Sequence, residues 1–146
     1  MTAHQNKGLI RRYYNAMWNT WDFARAEELL AEDIKFRGSL GQETRGRAAF
    51  CDYMRQVQRA FPDFHNSIEE LVAEQDRVVV RLSYTGTHRG AIFGVAPTKS
   101  YIRYAGVAFF RIRRRRVAEG WVLGDLLSLL RQLAPHSLPP ALRLVR

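Results

Sequence analysis

Apolar residues recur at steps of three and four in the N-terminal part of the chain. Residues 6–21 carry such a stripe, a spacing typical of an amphipathic helix. Its members are Leu9, Ile10, Tyr13, Tyr14, Met17, Trp18 and Trp21. Asp22 predicts the N-cap of a second, short helix. A third helix is predicted from Arg47 to about Phe61, where Pro62 ends it.

After Pro62 the hydrophobic period changes from 3.6 to 2, which indicates β-strands. Turns are expected at Gln75-Asp76 and Arg114-Arg115, and a closing helix at 125–133. The strands are predicted at 64–74, 77–88, 100–113 and 116–124.

Other segments carry weaker patterns. Ile34 to Phe36 fits a short strand. The segment from Gly38 to Gly46 holds three glycines and no period, and it is interpreted as a loop. Residues 134–146 are expected to form an irregular tail after a core at about 8–133. We find no repeat or linker, so residues 1–146 are predicted to form a single domain.

Helices followed by a run of strands indicate an α+β domain, with the N-terminal helices packed on one face of a curved, mainly antiparallel sheet. Such a sheet forms a cone that can hold a pocket. Tyr84, Gly86 and His88 share the strand face expected to point inward. Gly86 and Gly106 on that face predict a bend or a close approach by another group.

Composition and charge narrow the classes of protein. The 146 residues include 47% hydrophobic and 25% charged residues, as in ordinary globular domains. The single cysteine, Cys51, excludes an internal disulfide and a cysteine-rich zinc site. No apolar run is long enough to span a membrane, and residues 1–7 lack an apolar signal core. A cytoplasmic location is therefore expected.

The net charge of +9 is concentrated most clearly between Arg111 and Arg116, where Ile112 alone interrupts five arginines. We interpret this run as a solvated hairpin with outward arginines. Two alternatives are nucleic acid and a carboxylate of a partner subunit. No recognition-helix, RNA-binding or zinc-finger pattern accompanies it, so nucleic acid is not expected as a partner.

Several short motifs occur in an order and spacing that resemble the SnoaL-like polyketide cyclase family, within the nuclear transport factor 2-like superfamily. The resemblance covers residues 8–133 and implies a cystatin-like α+β barrel with a short C-terminal helix. Its motifs are Tyr14-Asn15, residues 60–64, residues 84–90, Gly94, residues 96–98, residues 110–112, Glu119, Trp121, Asp125 and residues 131–133.

The resemblance implies intramolecular aldol condensation of a polyketide ester without a metal or cofactor. That chemistry needs a base for a proton next to a carbonyl, a donor to the attacked carbonyl oxygen, and an apolar cavity that holds the chain folded. The expected ligand is therefore a small hydrophobic carbonyl compound. The histidines lack metal-ligand spacing and no acidic cluster accompanies them, so no metal is expected.

Asp125 and His88 are the candidate catalytic residues. A carboxylate in a dry pocket can have its pKa raised towards neutrality, and an unperturbed histidine titrates near ~6.5. The alternative for Asp125 is an N-cap, and for His88 a hydrogen bond in the cavity wall. By resemblance, the acid/base aspartate of the characterised cyclases falls at Val122, where no proton can be transferred.

Tyr14 matches a pocket tyrosine of the family and is expected to polarise the substrate carbonyl. The alternative for it and the other aromatic candidates is a place in the core. The further residues expected to line the substrate cavity are Tyr53, Phe61, Tyr84, Phe93, Tyr104 and Trp121.

Three functions remain open from the sequence. The first is a cyclase that acts on a hydrophobic carbonyl compound, and the second is a non-catalytic binding module with the same cavity. The third is a basic protein that binds nucleic acid. The outer face of the sheet is half apolar, which also predicts a homodimer. Its apolar residues, which lie among arginines, are Val79, Ala105, Val107 and Phe109.

Overall fold

The computed structural model describes residues 1–143, so the last three residues of the predicted tail lie outside the described residues. The helices are α1 Ala3–Arg12, α2 Ala26–Leu29, α3 Arg47–Ala60 and α4 Leu126–Leu133. The strands are β1 Leu30–Arg37, β2 Glu43–Arg45, β3 His65–Glu74, β4 Arg77–Thr87, β5 Tyr101–Arg113 and β6 Arg116–Gly124.

The six strands form one sheet in the order β2-β1-β6-β5-β4-β3. All neighbours are antiparallel except β1 and β6, which run parallel. Strands β3, β4, β5 and β6 each pair with the next strand along the chain, as the alternating pattern predicts. This confirms an α+β fold with N-terminal helices and a curved, mainly antiparallel sheet.

The first helix begins and ends earlier than its apolar stripe predicts. Thr2 caps it, because its hydroxyl accepts from the Gln5 backbone N–H while the Gln5 side chain accepts from the Thr2 backbone. After Arg12 the chain continues as a π-helical turn, Tyr13–Trp18. Trp21 follows with a left-handed φ of 57°, which places it outside the helix.

The loop expected between Gly38 and Gly46 contains a strand. Residues 43–45 form β2 and pair with residues 35–37 of β1. The interpretation of the whole segment as a loop was wrong, because the three residues of β2 are too few to show a period. Ile34–Phe36 is likewise the centre of the longer strand β1. The tail contains two 3-10 turns, Pro135–Ser137 and Pro140–Leu142.

The core lies between the concave face of the sheet and the helices. The turn that follows α1 contacts β3, and α3 packs against β1 and β2. Strands β4 and β5 alternate between buried and solvent-facing residues along almost their whole length. Within residues 1–143, no helix is long and apolar enough to cross a membrane.

Candidate functional site

A small void, which we call the central void, lies inside the cone where helices and sheet meet. Its volume is about 20 Å³, room for about one water molecule and far below the ~300–1,000 Å³ of ordinary ligand pockets. Aromatic side chains fill most of the space that the sequence predicts as a cavity. The void is lined by Tyr13, Tyr14, Trp18, Phe36, Ser39, Tyr53, Val57, Phe64, Asn66, Tyr84 and Val122.

Three buried tyrosine hydroxyls in this region have protein partners. The Tyr13 hydroxyl accepts from the Trp18 indole N–H at 2.9 Å. The Tyr53 hydroxyl accepts from the Leu40 backbone N–H at 3.3 Å. The Tyr104 hydroxyl lies 3.3 Å from the Ser39 hydroxyl. The contacts of Tyr53 and Tyr104 connect these two tyrosines to the segment between β1 and β2. Tyr13 instead pairs within the π-helical turn that contains it.

Tyr14 and Tyr84 line the void, and their hydroxyls have no hydrogen-bond partner within residues 1–143. Burial raises the pKa of both phenols well above the usual range. Tyr84 raises the pKa of Tyr14 further, and Tyr104 does the same for Tyr84. Both hydroxyls therefore stay protonated near neutral pH, and they can donate a hydrogen bond but not act as bases.

Local backbone features bring these tyrosines to the centre. Gly106 leaves the space that the Tyr84 ring occupies, since a Cβ there would overlap the ring and hydroxyl. Gly38 does the same for Tyr53. The close approach predicted at Gly106 is thus confirmed. Tyr14 lies on the π-helical turn, a feature often found at functional sites.

Val122 faces the void, whereas Asp125 lies at the molecular surface. The Val122 side chain is buried and lines the void. Asp125 is exposed, and its Oδ1 accepts from the Ser128 backbone N–H at 3.1 Å as the N-cap of α4. The expected pocket position of Asp125 is wrong, because the strand ends before this residue and its carboxylate serves the helix.

His88 is fully buried but does not line the void. Its Nδ1 accepts from the Thr98 backbone N–H at 3.1 Å and lies 3.0 Å from the Thr98 hydroxyl. Its ring packs on Phe61 with centroids 5.7 Å apart. His88 therefore anchors the segment that leads into β5 through its contacts with Thr98. The prediction that His88 lies at the cavity surface was wrong.

The predicted lining residues divide into three groups. Tyr14, Tyr53 and Tyr84 line the void. Phe61 and Tyr104 are buried behind it, within the core. Phe93 and Trp121 are 45% and 44% exposed at the molecular surface, so the prediction that these two line the cavity was wrong. The outward-facing phase of β6 places Trp121 on the convex side.

Sequence reasoning missed several lining residues. Tyr13, Trp18 and Phe36 have the apolar spacing of core positions, which could have placed them inside but not at the void. Phe64 and Asn66 share an inward phase at the start of β3, a signal that was available. Ser39 lies in a glycine-rich segment, where no pattern identifies its direction.

Hydroxyl, amide, aromatic and aliphatic groups line the void. No Asp or Glu side chain of residues 1–143 lines it. Residues 1–143 also contain no group of three His, Cys, Asp or Glu arranged to hold a metal ion. What the site offers chemically is a set of neutral hydrogen-bonding groups in aromatic surroundings, of which the Tyr14 and Tyr84 hydroxyls have no protein partner within residues 1–143.

The fold and this interior define a class of small cone-shaped α+β proteins. The sequence pattern of the SnoaL-like polyketide cyclase family matches residues 8–133, and the chain belongs to this family. No curated protein matches the chain at a significant level.

Solved structures give the same fold. AclR, a proposed hydroxylase from Streptomyces galilaeus, is 30% identical with a TM-score of 0.80, over 94% of this chain and 85% of AclR. IdmH, a proposed polyketide cyclase from Streptomyces antibioticus, is 27% identical with a TM-score of 0.78, over 89% of this chain and 99% of IdmH. A proposed SnoaL-like polyketide cyclase from Jannaschia sp. CCS1 is 22% identical with a TM-score of 0.83, over 94% and 95%.

Proposed function

We propose that this protein binds a small apolar carbonyl compound at the central void and polarises its carbonyl oxygen with the hydroxyls of Tyr14 and Tyr84. The observation that carries the proposal is the pair of protonated hydroxyls that line the void and make no hydrogen bond to a protein group within residues 1–143. Neither hydroxyl is among the unpaired polar atoms that are shielded from solvent, so each can donate to a ligand oxygen that enters the void. The surrounding aromatic rings favour a flat, apolar ligand.

The proposed reaction is an aldol-type ring closure of a substrate that supplies its own enol. The enol carbon of a 1,3-dicarbonyl group attacks a ketone in the same molecule, and one C–C bond forms. The enol proton passes to the new alkoxide, so atoms and charge balance. Tyr14 and Tyr84 stabilise the negative charge that develops on the attacked oxygen. This route needs no carboxylate base, consistent with valine at position 122.

A ligand of this class is larger than the void, so binding requires part of the wall to move. The segment 38–40 is the best candidate, because its contacts to the tyrosines are weak. The Leu40–Tyr53 and Ser39–Tyr104 distances are both 3.3 Å, longer than most protein hydrogen bonds. Displacing this segment would extend the void towards the β1–β2 connection.

A second candidate function is binding without chemistry. Val122 favours it, because the residue that faces the void at this position cannot carry a proton. The two functions share the tyrosine donors and differ only in whether the bound compound is consumed.

The experiment uses an aryl 1,3-diketo methyl ester that carries a pendant ketone, incubated with the purified protein. Ring-closed product is measured by mass spectrometry, and binding by the shift in melting temperature. We expect binding and accelerated ring closure in the wild type, and a loss of both in Tyr14→Phe and Tyr84→Phe. Tyr101→Phe, which removes an exposed hydroxyl on the outer face, is the matched control.

Binding without turnover would support the second candidate. Equal binding by wild type, Tyr14→Phe and Tyr84→Phe would contradict the proposed site.

We also propose that two copies associate through the outer face of the sheet. Apolar residues on this face form a stripe in which Val79 pairs with Phe109 and Val107 pairs with Leu123, and Leu123 is 53% exposed. An exposed apolar stripe of this kind favours association.

A location in the cytoplasm likewise remains a prediction.

A further inference from the structure

A second concave site, which we call the outer groove, lies on the convex side of the sheet, away from the central void. It opens between the β1–β2 hairpin and the parts of β4, β5 and β6 nearest to the Arg114–Arg115 turn. Its volume is about 550 Å³, within the range of pockets that hold small molecules. The proposed dimer stripe adjoins the outer groove, because Val79 pairs directly with Phe109.

The floor of the outer groove is aromatic. The Phe109 and Trp121 rings meet edge to face with centroids 6.0 Å apart, and they are 46% and 44% exposed. The Arg37 guanidinium lies 5.0 Å from the centre of the Trp121 ring. The Arg37 side chain also donates to the Val122 carbonyl oxygen, which fixes its position. Two large exposed rings side by side offer a surface for another flat ring.

The walls of the outer groove carry an excess of positive charge. Lys35 and Arg45 are direct partners across β1 and β2, and Arg77 and Arg111 across β4 and β5. Like charges in directly opposed positions are destabilising. The compensating carboxylates are weakly placed: Asp76 lies 3.8 Å from Arg77 and 3.7 Å from Arg111.

Within the described residues, Lys35 and Arg45 have no carboxylate within ion-pair distance. Glu119 lies 3.5 Å from Arg111 and Glu43 also lines the groove, so cations still outnumber carboxylates there.

Two polar atoms of the outer groove lack partners. The Thr44 hydroxyl and the Arg111 Nε are shielded from solvent and make no hydrogen bond within residues 1–143, and the Arg111 Nε has only an ion-pair contact to Asp76 Oδ2 at 3.7 Å. Both residues line the groove. Unpaired buried donors carry a free-energy cost that an anionic acceptor would relieve.

We propose that the outer groove binds a flat aromatic molecule that carries an anionic group. The ring lies against Trp121 and Phe109, and the anion is bound by Lys35, Arg45 and Arg111. Guanidinium groups bind carboxylates and phosphates through paired hydrogen bonds, and either group satisfies the charge of the groove. This proposal does not depend on the reaction proposed for the central void.

Isothermal titration calorimetry with three probes tests the proposal: 1-naphthoate, 1-naphthyl phosphate and the neutral 1-naphthalenemethanol. We expect at least one anion to bind with a dissociation constant below about 1 mM and at least tenfold more tightly than the neutral probe. The tighter anion identifies the preferred group. Weaker binding of both anions, or equal binding of the neutral probe, would overturn the proposal.

Variants locate the probe. Arg111→Gln is expected to weaken anion binding about tenfold, because one charge-assisted contact is lost. Glu119→Gln is expected to strengthen it, because a competing carboxylate is removed. Arg59→Gln on α3 changes the net charge equally but lies outside the groove, and it should leave the affinity unchanged. Equal effects of Arg111→Gln and Arg59→Gln would indicate diffuse attraction and overturn the site.

Aromatic and interior variants complete the test. Trp121→Ala should weaken binding of the preferred anion, whereas Leu123→Ala, on the same face but outside the groove, should not. Tyr14→Phe should have no effect; a loss of affinity would place the probe in the central void and overturn the proposal. Sedimentation with the same variants reveals a third outcome: if Arg111→Gln changes only the oligomeric state, the groove is a protein interface.

Discussion

Val122 and Asp125 lie three residues apart, yet Val122 faces the central void while Asp125 caps α4 at the molecular surface. The boundary between β6 and α4 separates them, since β6 ends at Gly124. A residue on the strand can face the interior, whereas the capping residue must turn its carboxylate towards the helix backbone. The chain therefore has a carboxylate near the cavity in sequence but not in space.

The first prediction concerns this cap. We expect Asp125→Ala to lower the free energy of unfolding by about 1 kcal/mol, because a backbone N–H of α4 loses its acceptor. Asp125→Asn retains a side-chain oxygen and should be close to wild type. Urea denaturation measures both. Ring closure and ligand binding should survive in Asp125→Asn, and their loss in that variant would place Asp125 in the mechanism after all.

The second prediction introduces the missing carboxylate. Val122→Asp should lower the stability at pH 7 by about 1–3 kcal/mol, because a carboxylate is buried among aromatic rings. Burial should raise its folded-state pKa above the unfolded value of about 3.9. Relative to Val122→Asn, the variant should therefore lose stability as the pH rises from 4 towards neutrality.

The same variant tests the proposed base-free reaction. A carboxylate at position 122 should accelerate ring closure of a substrate that enolises poorly, which the wild type leaves unchanged. Val122→Asn is the control for shape. If Val122→Asp folds and binds ligand but gives no acceleration, the void does not position substrate for this chemistry.

The third prediction concerns alkaline pH. Burial raises the pKa of Tyr84 in the folded protein, whereas a tyrosine in the unfolded chain titrates near ~10. The stabilisation that comes from this difference in pKa is fully present below about pH 10 and is lost as the pH rises above it. We expect Tyr84→Phe to reduce the decline of unfolding free energy above pH 10 by up to ~1.4 kcal/mol per pH unit.

Denaturation curves recorded from pH 9 to 12 measure this decline. Val57→Ala, which removes buried volume but no titratable group, should run parallel to the wild type. An identical slope in Tyr84→Phe and wild type would mean that the Tyr84 phenol ionises without unfolding.

The fourth prediction concerns the space in front of Tyr84. Gly106→Ala should destabilise the fold by about 1–3 kcal/mol, because the added methyl group displaces the Tyr84 ring. It should also abolish ligand binding at the central void. Gly8→Ala is the matched control: its Cβ would meet only an Arg12 nitrogen at 3.6 Å, and it should stabilise α1 by about 0.5–1 kcal/mol. Thermal unfolding compares the two.

The fifth prediction concerns the proposed dimer. Arg81 and Arg103 on the outer face are paired with Glu70 and Glu69, but each copy carries a net charge of +9, so two copies repel one another as they meet. Raising NaCl from 0.1 to 1 M shortens the screening length from about 10 to 3 Å and should strengthen the dimer. Sedimentation measures the dissociation constant.

Leu123→Arg should weaken that dimer, and Ala48→Arg, which adds the same charge on exposed α3, should not. A monomer at every salt concentration would contradict the proposal.

The fold was largely predictable because long periodic segments determine it. Helix α3 and strands β3 to β6 were located within one or two residues from alternation and from the helix stop at Pro62. Strand β2 was missed because its pairing with β1 is long-range and its three residues carry no pattern.

The site was predictable only in part. Tyr14 and Tyr84 follow from a helical stripe and a strand phase. On β6 the residues Trp121, Val122 and Leu123 are all apolar, so they show no alternation that tells the inner face from the outer. A register shift between Arg111 and Ile112 also alters the pairing with β6. Trp121 was therefore assigned to the wrong side of the sheet. The size of the void depends on how aromatic side chains pack against one another, which a pattern of residues does not specify.

The most direct test of the account is the infrared spectrum of a bound carbonyl. A ¹³C-labelled bicyclic ketone, 1-tetralone, would report the hydrogen bonds at its oxygen when added to the protein. If Tyr14 and Tyr84 donate to that oxygen, the carbonyl band of the bound ketone will lie below its position in an apolar solvent, and Tyr14→Phe and Tyr84→Phe will each raise it. A bound carbonyl band that neither substitution moves would contradict the account.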